Sequence, residues 1–263
     1  MSTTAKVVGF ELRDVIRSRW VIAYALFFLI VTDALLRFGG GGTKALLSLM
    51  NVVLFIIPLV NLVFGTMYLY DAREFIELLL AQPVRRRQLF AGLYLGLALP
   101  LSLGFLVGIG APFAVHGLDD PSQWGTLAAL ALCGVLLTAI FIAIAFLIAV
   151  RLEDKVKGLG AAIALWLVFA VLYDGIVLLA VTIFADYPLE RPMVALMMAN
   201  PVDLARVLLL MRFDVSALMG YTGAVFEKLF GTASGAALAL GVLAAWCAVP
   251  LAVGGRWFQR KDF

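Results

Sequence analysis

The sequence predicts an all-α integral membrane protein, on the basis of its composition, its hydropathy and its long apolar runs. Of its 263 residues, 64% are hydrophobic and 14% are charged, whereas soluble domains contain about 45–50% apolar and about 25% charged residues. The mean hydropathy is +1.06. An apolar helix of about 20 residues crosses the hydrocarbon of a bilayer. The chain is therefore expected to form a single transmembrane domain over residues 1–263.

Six apolar runs, each long enough for one crossing, follow one another along the chain. The predicted spans are residues 20–36, 45–69, 89–115, 124–150, 159–185 and 232–253. Basic residues precede the first run, as in a secretory signal. However, this run is 17 residues long and no small-residue cleavage pattern follows it. It is therefore expected to remain as the first span.

Lysine and arginine are distributed unevenly between the two sides of the predicted bundle. Of the 20 basic residues, 14 lie in the N-terminal segment, in the loops after spans two and four, and in the C-terminal tail. Because positively charged loops stay in the cytoplasm, both termini are expected to be cytoplasmic, in the bacterial inner membrane. The segment between spans five and six is then extracytoplasmic.

Residues 6–19 precede the first span and predict a helix that rests on the membrane surface. Its apolar positions fall on one face, with charged residues elsewhere. These apolar positions are Val8, Leu12, Val15 and Ile16.

The segment DAREFIELLLAQPVRRRQLF, residues 71–90, is the least apolar stretch in the first half of the chain. Phe75, Leu78 and Leu79 recur at helical spacing, which predicts a short amphipathic helix in the membrane plane. Pro83 is expected to end this helix, and three arginines follow it. Two interpretations are open: an interfacial helix anchored on anionic lipid, or an element that fits into a groove on a soluble partner.

This layout resembles the permease subunits of ABC-2 type transporters, in which the corresponding segment is the coupling helix that contacts a separate ATPase. The residues that match the family pattern are Leu79, Leu80, Pro83, Arg86, Gln88 and Gly92. The chain departs from the pattern at the helix start, where Glu74-Phe75 replaces the common Gly-Thr, and at Leu93, which replaces a basic residue.

The resemblance implies a type V exporter-like fold with an N-terminal elbow helix at residues 6–19 and extracytoplasmic helices between spans five and six. It also implies a homodimer bound to two copies of a separate ABC ATPase. ATP and magnesium would be held by that ATPase, so no cofactor is expected on this chain. The residues that would contact the ATPase are Glu74, Phe75, Glu77, Leu78, Leu79, Pro83 and Arg86.

The charged loop RLEDKVKG, residues 151–158, follows span four. It is either a second cytoplasmic contact or a solvated turn. The residues that would form the contact are Arg151, Glu153, Asp154 and Lys155.

Span five contains LWLVFAVLYDGIVLLAV, which places Asp174 near the middle of the membrane. An ionisable group at that depth costs about 2.5–3.5 kcal/mol on insertion scales. Protonation, a water-filled cavity, or a hydrogen bond from Tyr173, Asn51 or Asn61 would offset this cost. Asp174 has either a purely structural hydrogen bond or a part in a conformational switch.

The segment NPVDLARVLLLMRF predicts a helix beyond span five. Asn200 suits the N-cap, Pro201 the first helical position, and Asp203 the first turn, where the helix dipole favours an anion. The helix either seals the outer end of the bundle or forms a gate or docking surface for a periplasmic partner. The residues expected to form that surface are Asn200, Pro201, Asp203 and Arg206.

An acidic residue in span five followed by Asn-Pro-x-Asp resembles the ABC-2 permeases that help to mature copper-containing nitrous oxide reductase. That resemblance implies a periplasmic β-helical copper-handling partner. Two alternatives are open: an ABC-2 exporter of a hydrophobic drug, lipid or peptide, or a secondary transporter driven by protons through Asp174.

The residues needed for catalysis or for a metal centre are scarce. The sequence has one histidine, His116, and two cysteines, both inside predicted spans, so neither a metal-ligand cluster nor a disulfide framework is expected. The run GGGGTK at residues 39–44 lacks the spacing of a phosphate-binding loop. We expect a non-catalytic subunit that binds no nucleic acid. Five of the eight methionines lie between spans five and six, where they are either Cu(I) ligands or helix filler.

Overall fold

The computed structural model describes residues 19–81, 85–117, 121–184, 190–213 and 233–261. Every regular element within these ranges is helical, and six of the helices are long and apolar enough to cross a membrane. The predicted all-α class with six spans is therefore confirmed. The predicted elbow helix, apart from Arg19, lies outside the described residues, as do Pro83 and Met219.

The chain forms six spans and three short helices in the described residues. One short helix follows span two, and the other two lie between spans five and six. The first spans and the short helix between them are α1 Arg19–Phe38, α2 Gly42–Asp71, α3 Arg73–Leu80, α4 Arg86–His116 and α5 Ser122–Arg151. The fifth span consists of α6 Lys155–Leu167, a π-helical turn Val168–Leu172 and α7 Tyr173–Ile183. The remaining helices are α8 Glu190–Met198, α9 Pro201–Leu210 and α10 Ala233–Arg260.

Several spans extend beyond the apolar runs that predict them. The second span begins at Gly42 and ends at Asp71, and α10 continues past residue 253 to Arg260. Hydropathy marks only the stretch that lies in hydrocarbon, whereas backbone hydrogen bonding continues into the interface, where the long charged side chains reach water. The ends of these spans therefore carry charged residues beyond the apolar stretch.

The fourth span, α5, is the centre of the bundle and packs against α2, α4 and α10. Its side chains Phe141, Ala145 and Phe146 are fully buried. A Cβ atom added at Gly65 of α2 would come within 2.7 Å of the Ala145 Cβ atom. Glycine at that position allows the two helices to approach closely, as small residues do in membrane bundles.

The fifth and sixth spans lie on the outside of the chain. Of the residues in the most apolar stretch of span four, 72% are buried. The corresponding share is 17% in span six and 6% in span five. Their apolar surfaces therefore face lipid or another polypeptide.

The short helices lie at the two ends of the bundle. α3, residues 151–157, the start of α4 and the end of α10 meet at one end, which we call the basic end. At the other end α8 and α9 form a pair bent by 108°. The Trp246 indole Nε1 donates to the Met198 carbonyl at 2.9 Å and ties this pair to α10.

Candidate functional site

Helix α3 is held at the basic end by Ile76, which is fully buried. Leu79 and Leu80 are partly buried against the same core. Leu78 is 69% exposed, and Glu74 and Glu77 are exposed as well. Of the predicted stripe, Leu78 is exposed, and Phe75 and Leu79 are partly buried.

The stripe that faces the bundle, Ile76, Leu79 and Leu80, has the same i, i+3, i+4 spacing as the predicted stripe of Phe75, Leu78 and Leu79. Only the direction in which α3 leaves α2 distinguishes them, and a single residue, Ala72, joins these two helices. The outward surface of α3 consequently combines one large apolar side chain with two carboxylates.

The loop before span five packs against α2 and α3. The Tyr70 hydroxyl donates to the Leu152 carbonyl at 2.8 Å, and an Arg73 guanidinium nitrogen lies 3.4 Å from the same oxygen. Lys155 Nζ pairs with Asp71 Oδ1 at 2.6 Å. A Cβ atom at Gly158 would come within 2.0 Å of the Tyr70 hydroxyl, so only glycine leaves room for Tyr70. The start of span five is thereby fastened to α2 and α3.

The four residues predicted for the second contact have different surroundings. Asp154 caps α6, because its Oδ1 accepts from the Lys157 backbone N–H at 2.9 Å, and this bond lowers the pKa of the carboxyl. The Arg151 guanidinium lies 5.0 Å from the centre of the Trp257 ring. Lys155 is the partner of Asp71, and Glu153 is largely exposed. Val156, which is not one of the four predicted residues, is 80% exposed.

The end of α10 completes the basic end. An Arg86 Nη1 atom donates to the Lys261 carbonyl at 2.5 Å and to the Gln259 carbonyl at 3.2 Å, which satisfies acceptors at a helix C-terminus. Lys261 Nζ donates to the Val150 carbonyl at 3.1 Å and lies 3.8 Å from Glu153. Burial, followed by the charge of Arg73, lowers the pKa of Lys261. Arg86, predicted to contact a partner, thus also holds α4 to α10.

A second polar cluster, which we call the Asp174 cluster, consists of Asp174, Asn200, Asp203 and Arg206. Arg206 Nη1 donates to Asp174 Oδ2 at 2.8 Å and lies 3.1 Å from Asp203 Oδ1. The Asp174 side chain is 51% exposed, whereas that of Asp203 is 9% exposed. One guanidinium therefore serves two carboxylates on different elements.

Asn200 connects the same cluster to the π-helical turn of span five. Its Oδ1 accepts from the Val202 backbone N–H at 2.9 Å, so the predicted N-cap is confirmed. Its Nδ2 donates to Asp203 Oδ2 and to the Phe169 carbonyl, each at 2.9 Å. A π-helical turn replaces the i→i+4 backbone hydrogen bonds of an α-helix with i→i+5 bonds. Such turns are frequent at functional sites.

Arg206 was not among the predicted partners of Asp174. Of the partners it proposed, Tyr173 donates to the Leu196 carbonyl and Asn51 donates to the Leu47 carbonyl. The one sequence feature that indicates an ion-pairing role for Arg206 is its spacing from Asp203, which places both side chains on one face of the helix. The chain reversal that returns α9 to span five is not visible in the sequence.

An apolar groove of about 490 Å³ lies beside the Asp174 cluster. Its lining residues include Phe27 of α1, Phe55 of α2, and Val202 and Arg206 of α9. Its mostly apolar lining suits an apolar molecule.

Metal-binding residues are not clustered in the part of the chain that the structure describes, where no group of three His, Cys, Asp or Glu side chains converges. Met193 is buried, and Met197, Met198 and Met211 pack against the core. These four methionines have the packing of helix filler.

Comparison with known proteins matches nearly the whole chain. The family described as "ABC-2 family transporter protein" matches residues 5–263. A "Probable ABC transporter permease protein NosY" from Pseudomonas aeruginosa is 30% identical over 272 residues, covering 95% of this chain and 96% of the relative. A protein of the same description from Stutzerimonas stutzeri is 27% identical over 223 residues, covering 78% of this chain and 80% of the relative.

Proposed function

This chain belongs to the ABC-2 family of transporter proteins and is similar to NosY permeases, and we propose that it couples ATP hydrolysis by a separate ATPase to a conformational change across the inner membrane. Two copies of the chain would form a homodimer that binds two ATPase subunits. Residues 1–263 of each copy would form one transmembrane domain, and ATP with its magnesium would lie on the ATPase. The chain itself would catalyse no reaction.

The observation that carries this proposal is the attachment of α3 to two spans at once. Ala72 alone separates α3 from span two. The Tyr70–Leu152 hydrogen bond and the Asp71–Lys155 ion pair join the same region to the start of span five. A force on α3 would therefore move spans two and five together, as a rigid-body transition requires.

The exposed surface at this end suits a protein partner. Leu78 and Val156 present large apolar side chains outside the buried core. The exposed carboxylates beside these side chains are Glu74, Glu77, Glu153 and Asp154. The matching surface would be an apolar groove with a basic rim.

Motion of span five would reach the opposite end through the Asp174 cluster. Asn200 bonds to the π-helical turn, and Arg206 pairs with Asp174 just beyond it. These contacts connect span five to α9 without a flexible loop. Replacing Asp174 with Asn would weaken the connection; unchanged ATP turnover and unchanged assembly in that variant would contradict a switch role.

We propose further that the output serves copper-site maturation of nitrous oxide reductase through a periplasmic β-helical protein. The similarity to the two NosY permeases supports this proposal, as does the order of Asp174 and the Asn200–Asp203 segment. In that case the complex would transmit a movement outward and would not need to carry a solute.

Co-purification tests the coupling role. Leu78→Asp combined with Val156→Asp adds two charges to the exposed surface and leaves Ile76 in place. We expect the ATPase that co-purifies with this variant to fall at least tenfold, while membrane insertion stays normal. Arg212→Asp, which changes an exposed charge at the opposite end, is the matched control. Recovery of the ATPase with the double variant at the wild-type level would contradict the proposal.

The alternative function is export of a hydrophobic drug, lipid or peptide. The groove of about 490 Å³ beside Arg206 favours it, because an exporter needs a lateral entry for an apolar substrate. A periplasmic protein that co-purifies with the complex would support the maturation role. Stimulation of ATP hydrolysis by an apolar compound, abolished by Phe55→Trp in the groove wall, would support export.

A further inference from the structure

A second groove, of about 710 Å³, runs between the start of α4 and the end of α10 at the basic end. It is separate from the exposed surface of α3 and from the Asp174 cluster. Its walls include Phe90, Tyr94, Leu95 and Leu251, and Arg87 and Arg256 lie among its lining residues. None of the described residues that line it is acidic.

The two helices give this groove a polar end and an apolar interior. They are antiparallel, and Arg86 fixes their ends at one level through the Gln259 and Lys261 carbonyls. The lining residues extend from 87 to 95 on α4 and from 251 to 259 on α10, or about 12 Å along each helix axis. The arginines lie near the helix ends, and the aromatic and leucine side chains lie deeper.

The shape of the groove is fixed by packing within the chain. The Phe90 ring lies 5.3 Å from that of Phe258 and 5.7 Å from that of Phe146. The Tyr94 hydroxyl donates to the Ala139 carbonyl at 3.0 Å. Gly255 lines the groove without a side chain. The cavity therefore exists before any molecule enters it.

Arg87 and Arg256 are exposed, and neither forms a hydrogen bond or ion pair with another described residue. Both guanidinium groups lie near the polar ends of their spans and are available to an anionic ligand. Arginine binds phosphate oxygens through paired N–H donors, and basic pockets between membrane helices bind anionic headgroups.

We propose that this groove binds one anionic phospholipid. The phosphate pairs with Arg87 and Arg256, and an acyl chain lies along Phe90, Tyr94 and Leu251. The exposed outer surface of α10 leaves the groove open to the bilayer. A second copy of this chain is a poor occupant, because a two-fold contact there brings like-charged arginines together.

The bound lipid fastens span three to span six next to the Arg86 contacts. It therefore stabilises the basic end of the bundle. This role is independent of the ATPase, so its test does not depend on the coupling proposal.

Native mass spectrometry of the purified full-length chain tests the proposal. Dioleoyl phosphatidylglycerol is titrated against the protein, with dioleoyl phosphatidylcholine and inorganic phosphate as separate probes. We expect a saturable single adduct with phosphatidylglycerol, weaker binding of phosphatidylcholine, and no competition by phosphate. Each arginine near a membrane surface contributes about a fivefold change in affinity, so Arg87→Gln with Arg256→Gln should weaken binding about 25-fold.

Lys44→Gln with Arg212→Gln is the matched control, since it removes two exposed charges at other sites and should leave binding unchanged. Ala252→Trp fills the groove without altering charge and should also abolish the adduct. Unchanged phosphatidylglycerol binding in the double arginine variant would overturn the proposal. Displacement of phosphatidylglycerol by inorganic phosphate would show that the groove binds an ion and not a lipid. Cross-linking of two copies of the chain through a cysteine at position 252 would show that a second copy occupies the groove. If the arginine variant fails to fold, the two-lipid comparison and the Ala252→Trp variant decide the question.

Discussion

Arg206 is the residue on which the Asp174 cluster depends. It holds two carboxylates from different elements, and Asp203 is too buried for water to replace the guanidinium. A buried carboxylate without its partner is costly, whereas removing both charges together is much less so. The three side chains therefore have to be considered as one unit.

Replacing Arg206 with Gln is expected to destabilise the protein by about 1.5–3 kcal/mol, the contribution of a hydrogen bond to a charged group. Adding Asp203→Asn should recover part of that loss, because the buried charge is then gone. Thermal unfolding in detergent, followed by a thiol-independent fluorescence probe, measures both effects. Equal midpoints for Arg206→Gln and the control Arg212→Gln would show that the cluster contributes nothing.

At the scale of single residues, the sequence predicted the local cap of α9 but not the long-range partner of Asp174. Asn200, Pro201 and Asp203 have the cap geometry that their order indicates. The pairing of Asp174 with Arg206 joins positions 32 residues apart. Local capping depends on neighbours in the chain, whereas this ion pair depends on how α9 folds back.

Among the helices, α3 and the start of span five act as one element. Tyr70 and Lys155 bond across the gap, and Gly158 leaves space for the Tyr70 ring. The sequence predicted a short helix at this place, but not which face is buried. Two sets of apolar residues share the same periodicity, and only tertiary packing selects Ile76.

Tyr70→Phe removes one hydrogen bond and leaves the ring in place. We expect the variant to lose about 1 kcal/mol of stability and to bind the ATPase normally. Coupling should be reduced, so that ATP turnover in the complex becomes equal to that of the ATPase alone. Tyr94→Phe, which also removes one hydroxyl hydrogen bond but lies away from α3, is the control. Full coupling with Phe at position 70 would mean that the Leu152 contact does not transmit movement.

For the whole molecule, hydropathy predicted six spans correctly because the bilayer requires long, internally hydrogen-bonded apolar helices. It could not predict that span four is central and span five peripheral, since all the spans are similarly apolar. The exposed fifth span, with the half-exposed Asp174 at its centre, supports the proposal that another copy covers it.

A homodimer through span five is testable by cross-linking. Ile176→Cys places a thiol on the exposed surface of span five, and Val249→Cys places one on the exposed surface of span six. With Cys247 replaced by Ala, a bifunctional maleimide should link two copies through position 176 and not through position 249. Dimers from position 249 alone would place the interface on span six.

The central claim is that the outward surface of α3 contacts the ATPase. A photo-reactive phenylalanine analogue at position 78 in the assembled complex tests it most directly, with position 212 as the control at the opposite end. If this claim holds, position 78 forms a covalent product with the ATPase, in a yield that changes when ATP is added, and position 212 forms none. A product from position 78 with lipid alone, or with a protein on the outer side of the membrane, would contradict it.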